Sequence, residues 1–253
     1  MLNSSGAVCN ALRKTCACCY NRFMRAALAA LMLLPAAALA PAPPRPSADA
    51  DAVVRAIEKR YQSVRTLQAD FLERYSEGRR AMRLESGKAF FSRPGRMRWE
   101  YEEPEEKLFL IDGKTVWFYV PADRTVTRAK IKESDDWQTP LALLVGKFKV
   151  SRVCARVELV ESKPGPSAMP AGHIGLRCLP KSADSGFHEV LIEVDASYSI
   201  TRVLIREPGD VETEFRFGNW QNDPALPEAI FHFQAPPGVA IVDEASIAGP
   251  VRP

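Results

Sequence analysis

The chain has 253 residues, of which 46% are hydrophobic, so it can bury a substantial core and wholesale disorder is excluded. Its formal charge is +3, but four of the 34 basic residues and no acidic residue lie in residues 1–40. The remaining 30 basic residues face 31 acidic ones, and this near neutrality argues against nucleic acid as a partner.

An N-terminal leader is indicated by the run "AALAALMLLPAAALA" at residues 26–40, which follows Arg22 and Arg25. A basic start, an apolar middle and a small-residue end are typical of a secretory signal peptide. We therefore predict a signal peptide over residues 1–40, with Met24 as an alternative start, and a Pro-rich spacer over residues 41–48. The alternative is a retained anchor, although the run is short for a membrane span.

The predicted elements begin with a helix after the spacer. Its apolar residues recur every three to four positions, which indicates one buried helical face. Ser47 or Asp49 is placed to cap its N-terminus. The apolar positions are Val53, Val54, Ile57, Tyr61 and Val64.

From residue 66 the apolar period changes to two, which indicates strands. The clearest hairpin spans residues 107–120, where Asp112-Gly113 supplies the tight turn. The pattern is broken at residues 135–148, where Thr139 and Pro140 open a short apolar helix. Later strands are predicted at residues 153–160, 173–179, 187–195, 199–207, 211–217 and 230–234. We expect about eleven antiparallel strands in one α+β domain over residues 49–253.

Two of the six cysteines, Cys154 and Cys178, lie beyond the leader and spacer. An oxidising compartment would permit a disulfide between them. A hairpin that turns near residue 166 would place the two cysteines opposite each other. Two free thiols are the alternative, and the sequence leaves this choice open.

The hairpin at residues 107–120 is apolar on both faces, whereas an ordinary half-buried sheet has one polar face. Either helices cover one face while the other lines a core, or the sheet curls around a cavity that suits a long apolar ligand. A sandwich with an ordinary dry core is the alternative, because periodicity does not reveal a void.

No pattern of a catalytic or metal site occurs in the chain. The histidines, His173, His188 and His232, lack the spacing of a metal pair. The chain has no nucleophile elbow, phosphate-binding loop or dinucleotide-binding fingerprint. Cys178 and His173 could be a nucleophile and its base, but they are an odd number of positions apart on one predicted strand. Their side chains would therefore point to opposite faces. We therefore predict no enzymatic activity, no metal and no cofactor.

The stretch "SRPGRMRWEYEEPEEKLFLIDGKTVWFYVPADRTVT" at residues 92–127 resembles the central motif of the LolA family. Residues 64–71, 139–147 and 233–243 are similar to its first helix-to-strand junction, lid helix and closing segment. The resemblance covers roughly residues 50–245. It implies an incomplete, curved antiparallel β-barrel with a lid of short α-helices over an apolar cavity.

For this family the resemblance implies a periplasmic, monomeric carrier of acylated lipoproteins. The cargo would come from an inner-membrane ABC transporter and pass to an outer-membrane receptor if one is present. A carrier of another lipid or glycolipid, or a regulatory module that senses mislocalised lipoproteins, are the alternatives. The cysteine pair and the long loop at residues 161–172 depart from the expected pattern.

The resemblance also assigns roles to single residues. Arg93 matches the arginine that holds the lid closed, so it is expected to act as a latch. Trp99 matches a cavity-side tryptophan, and Leu141 and Leu144 match apolar positions of the lid. Trp117 and Tyr119 share one face of the hairpin, and the sequence leaves open whether it is the inner one. The expected ligand-binding residues, for which core packing is the alternative, are Ile57, Tyr61, Met97, Trp99, Leu110, Trp117, Tyr119, Leu141 and Leu144.

Overall fold

The computed structural model describes residues 49–78, 81–131, 144, 149–162, 168–182 and 186–244. The predicted signal peptide and spacer lie outside the described residues. So does the expected lid helix at residues 139–147, apart from Leu144, which is buried. Within the described residues, no helix has the length and apolarity needed to cross a membrane.

Helix α1 (Ala50–Ser63) forms where the apolar spacing predicts it. Asp49 caps it, because its side chain accepts a hydrogen bond from the Asp51 amide at 3.2 Å. The predicted apolar positions are buried. Glu58, on another part of the helix, accepts a hydrogen bond at 2.9 Å from the amide of Val150 in the short helix α2 (Val150–Val153).

Twelve strands of the described residues form one sheet, one more than expected. They are β1 (Thr66–Glu77), β2 (Ala81–Ser92), β3 (Arg96–Glu103), β4 (Lys107–Ile111), β5 (Thr115–Val120), β6 (Thr125–Lys130), β7 (Cys154–Val160), β8 (Ile174–Pro180), β9 (Glu189–Val194), β10 (Ile200–Glu207), β11 (Val211–Asn222) and β12 (Ala240–Glu244). The predicted last strand at residues 230–234 is wrong. A 3₁₀ helix (Glu228–Phe231) occupies that position, and the last strand comes later.

The order of strands across the sheet is β12-β6-β5-β4-β3-β2-β1-β11-β10-β9-β8-β7. Every neighbouring pair is antiparallel except β12 and β6, which run parallel. Two runs of consecutive hairpins therefore meet where β1 pairs with β11, with Phe71 opposite Phe217. The expectation of an open, curved antiparallel sheet is confirmed.

One face of the sheet, the inner face, carries α1 and the main hydrophobic core. Side chains from the helix and from strands of both halves form this single cluster. Gly87 lets β2 and β3 approach closely on this side, because a Cβ there would overlap the carbonyl oxygen of Glu100. The apolar core on the inner face therefore spans the junction of the two halves.

The opposite, outer face of β3 to β6 is covered by the chain that follows β11. Arg98 donates a hydrogen bond to the carbonyl oxygen of Ile230 at 2.9 Å. Phe231 is buried, and the ring of Phe233 stacks on Trp117 with centroids 5.2 Å apart. We call residues 224–239 the C-terminal strap. Because the strap covers the outer face while α1 covers the inner face, both faces of the hairpin at residues 107–120 are apolar.

At the far edge of the sheet, Cys154 and Cys178 form a disulfide with their Cα atoms 5.4 Å apart. The predicted hairpin would have placed the two cysteines directly opposite each other, and in the structure they are not. Cys178 pairs with Val157 and Cys154 with Pro180, so the pairing register of β7 and β8 differs from the predicted one, and it also shifts between Cys154 and Arg156.

Candidate functional site

The centre of the inner face is a layer of aromatic rings around Trp99. The indole is 2% exposed. Its ring centroid lies 4.8 Å from Phe71 and 5.7 Å from Phe91, both in edge-on arrangements. On the other side of the sheet junction it lies 5.4 Å from Phe215. Edge-on and tilted rings at these distances attract each other beyond their apolar burial.

The C-terminal end of α1 meets this layer through Tyr61. Its hydroxyl accepts a hydrogen bond from the amide of Ile200 at 2.8 Å, and its ring lies 6.3 Å from that of Trp220. Burial raises the pKa of Tyr61 to about 12. The hydroxyl therefore stays neutral at physiological pH and anchors the helix end to β10.

The structure brings five of the nine expected ligand-binding residues together. They are Ile57, Tyr61, Met97, Trp99 and Leu144, which all belong to the inner-face core. Leu141 lies outside the described residues. The helix spacing and the strand alternation correctly place the first four of these residues on one surface.

The other three, Leu110, Trp117 and Tyr119, lie on the outer face, and this corrects their expected position. Phe109 pairs with Trp99 and faces inward, so its neighbour along the strand, Leu110, faces outward. Trp117 pairs with Leu110 and therefore faces outward as well. The strap covers them. Alternation alone identified two apolar faces here but not which of them faces the helix.

Arg93 directly follows β2 and is close enough to Tyr61 for the two groups to interact electrostatically. Its amide donates a hydrogen bond to the carbonyl oxygen of Arg65 at 3.0 Å. Burial lowers the pKa of its guanidinium, and the neighbouring Tyr61 opposes that shift. The buried Nε has no hydrogen-bond partner among the residues that the structure describes. The group is therefore a donor that lacks an acceptor at this atom. Its expected partner, the lid, lies outside the described residues apart from Leu144.

Several inner-face residues were not among the expected site residues. Phe71, Phe215 and Phe217 were detectable, because "LQADF" and "VETEFRF" alternate in strand period.

A group of buried charged and polar side chains on the inner face could not be detected from the sequence. Tyr101 donates a hydrogen bond to Glu73 at 2.8 Å, and Lys107 donates one to Glu85 at 2.5 Å. Burial raises the pKa of Glu73 above its ordinary range and that of Tyr101 well above its own.

Taken together, these features define a half-barrel protein whose interior is an apolar, aromatic-rich face covered by a helix. Residues 62–234 match the protein family described as "Outer membrane lipoprotein carrier protein LolA". That match spans more than half of the chain. The chain therefore belongs to the LolA family.

Two relatives named outer-membrane lipoprotein carrier protein support this assignment. The outer-membrane lipoprotein carrier protein of Dechloromonas aromatica is 30% identical over 184 residues, which cover 72% of this chain and 84% of that protein. The one from Bordetella avium is 32% identical over 163 residues, which cover 64% and 73% respectively. Among solved structures, a LolA superfamily protein from Nitrosomonas europaea is 11% identical, with a TM-score of 0.41 over 73% of this chain and 97% of that one.

Proposed function

We propose that this chain is a periplasmic carrier that holds the acyl chains of lipoproteins against its inner face. Family membership supports the proposal, and the aromatic layer around Trp99 is the observation that carries it. These rings join both halves of the sheet and are buried, so they offer apolar contact area to a long hydrocarbon chain once the element that covers them opens. The proposal includes cleavage of residues 1–40 and a single carrier domain over residues 49–253.

The cargo in this proposal is an acylated lipoprotein that an inner-membrane ABC transporter releases and that an outer-membrane receptor accepts where one is present. Each buried methylene stabilises a complex by about 0.8 kcal/mol, so complete burial of several chains would prevent release. A covering element that must open before binding lowers the apparent affinity and makes handover feasible. The protein acts as a monomer and without catalysis.

Binding of acylated peptides tests the proposal directly. Residues 41–253 are titrated with a fluorescent peptide that carries three acyl chains and with the same peptide without them. We expect saturable binding of the acylated peptide only. A folded, β-rich protein that binds neither peptide would contradict the carrier function. Competition by phospholipid or glycolipid vesicles at lower concentrations than the peptide would favour the carrier of another lipid instead.

Arg93 is proposed as the latch that favours the closed, empty state. Its Nε has no partner within the described part of the chain, and this supports the role, because a lid carbonyl could accept a hydrogen bond there until cargo displaces the lid. A hydrogen bond from a charged group contributes about 1.5–3 kcal/mol. Arg93→Leu should therefore retain acyl binding but slow transfer of the peptide to acceptor vesicles by about tenfold or more.

The matched control for the latch is Arg55→Leu, which removes an exposed arginine from the outside of α1. This variant should transfer the peptide at the wild-type rate. Wild-type transfer by Arg93→Leu would rule out the latch and leave the acyl-binding proposal in place.

A further inference from the structure

The inner face changes from apolar to ionic along strands β1 to β4. On β1 the inward side chains are Leu67, Ala69 and Phe71, all nearly inaccessible, and the next is Glu73. The apolar part of this strand, from Leu67 to Phe71, is about 14 Å long at the usual rise per residue. On β4 the same change occurs between Phe109 and Lys107.

Four buried groups form this ionic border, which we call the polar floor. They are Glu73, Glu85, Tyr101 and Lys107, each at most 9% exposed. Glu73 lies directly opposite Glu85 in the register of β1 and β2. Tyr101 donates to the first carboxylate and Lys107 to the second, and Arg83 contacts Glu85 at 3.4 Å. Each carboxylate therefore has a specific donor.

The polar floor is a poor environment for hydrocarbon. A methylene that entered it would have to separate Lys107 from Glu85 or Tyr101 from Glu73. Separating Lys107 from Glu85 leaves uncompensated buried charges, and separating Tyr101 from Glu73 leaves buried polar groups without a partner. Either cost is larger than the free energy that one methylene gains by burial. An acyl chain that lies along the apolar positions therefore has no favourable way past Phe71.

We propose that the polar floor sets how deeply an acyl chain can enter and thereby selects the chain lengths that bind best. This inference rests on the proposed carrier function. Glu73, Glu85, Tyr101 and Lys107 are specificity-determining residues that limit depth without providing affinity themselves. Chains shorter than the limit gain affinity with each added carbon, and longer chains leave their surplus carbons outside.

A series of synthetic lipopeptides with saturated chains of increasing length tests the limit in the wild-type protein. Affinity should rise about fourfold per methylene, and then stop rising at one breakpoint length. A series that rises smoothly to the longest soluble chain would overturn the proposal.

The breakpoint should move when the Glu85–Lys107 half of the floor is made apolar. Glu85→Leu combined with Lys107→Met removes both charges of that buried pair, and Arg83, which also contacts Glu85, is 31% exposed and stays in contact with water. Longer chains should then continue to gain affinity. The control is Asp70→Leu with Lys88→Met, which removes an outer-face pair between β1 and β2, 3.3 Å apart. The control should keep the wild-type breakpoint. An unchanged breakpoint in a folded floor variant would overturn the proposal.

A measurement on wild-type protein covers the case in which the floor variant does not fold. Chains with a terminal hydroxyl are compared with plain chains of the same length. The hydroxyl should weaken binding of short chains, whose ends lie among apolar side chains, and weaken it much less at the breakpoint length, where polar groups are adjacent. An equal penalty at every length would overturn the proposal.

These tests also separate the inference from the function on which it rests. Binding of lipopeptides with no breakpoint would remove the polar floor as a limit and leave the carrier function intact. Failure of the folded wild-type protein to bind a lipopeptide of any length would remove both.

Discussion

Two buried glutamates in this protein differ in what their charge does to stability. Glu214 lies on the outer face and accepts hydrogen bonds from Arg74 at 2.8 Å, Arg202 at 2.6 Å and Arg216 at 3.0 Å. Burial alone would raise the pKa of Glu214, but these arginines lower it overall, Arg202 most strongly. Glu73 lies on the inner face, where burial dominates and raises its pKa. The two groups therefore respond to pH in opposite directions.

The substitution Glu214→Gln should destabilise the protein at pH 7 by about 1.5–3 kcal/mol, because three charged hydrogen bonds lose their anion. A pKa depressed by folding contributes stability above the ordinary value of 4.5, and this stability is lost as the pH falls through the folded-state pKa. The difference between variant and wild type should therefore shrink in acid. Urea unfolding at pH 7 and in acid measures this difference in the free energy of unfolding. A difference that stays constant would contradict a lowered pKa of Glu214.

The substitution Glu73→Gln should have the opposite sign. A carboxyl whose pKa is raised by folding contributes its stability below the ordinary value of 4.5, and that stability is lost as the pH rises through the folded-state pKa. The amide mimics the protonated carboxyl and still accepts from Tyr101. The variant should match wild type in acid and become the more stable protein toward pH 7. Unfolding curves that place it below wild type at pH 7 would disprove this reading.

At the scale of elements, the C-terminal strap makes a second core on the outer face. Leu110, Val126 and Phe231 are almost fully buried but do not belong to the main cluster. Arg96 lies over the ring of Phe231 at 5.5 Å and pairs with Glu228 at 2.7 Å, which fastens the 3₁₀ helix to β3. The strap therefore contributes packing as well as connection.

Phe231→Ala should lower the free energy of unfolding by about 3–5 kcal/mol, the usual cost of removing a fully buried ring. Ile241→Ala, at a half-exposed position of β12, should change it by no more than about 0.5 kcal/mol. Urea denaturation of both variants gives the comparison. Equal, small effects would show that the strap does not support the sheet.

At the scale of the whole molecule, local periodicity was sufficient for helix α1 and most strands, as with Ile57 and Tyr61 on one helical face. The curved sheet was expected only from the resemblance to the LolA family. Local periodicity does not show on which side of the sheet Leu110 and Trp117 lie. That depends on the strap, which is distant in sequence and lacks a strand period. The pairing of Glu85 with Lys107 likewise depends on strand register, which alternation leaves open by multiples of two residues.

The strand order also determines when the sheet can be completed. Strands β1 to β6 pair with one another in chain order. The second edge of β1 pairs with β11 and the second edge of β6 with β12, and both of these partners lie beyond residue 210. As the chain is made or exported, its first half therefore presents two unpaired strand edges, which favour aggregation. Pulsed hydrogen exchange during refolding should find amides that link β3, β4 and β5 protected before those that link β1 to β11. Simultaneous protection would mean that the two halves do not form independently.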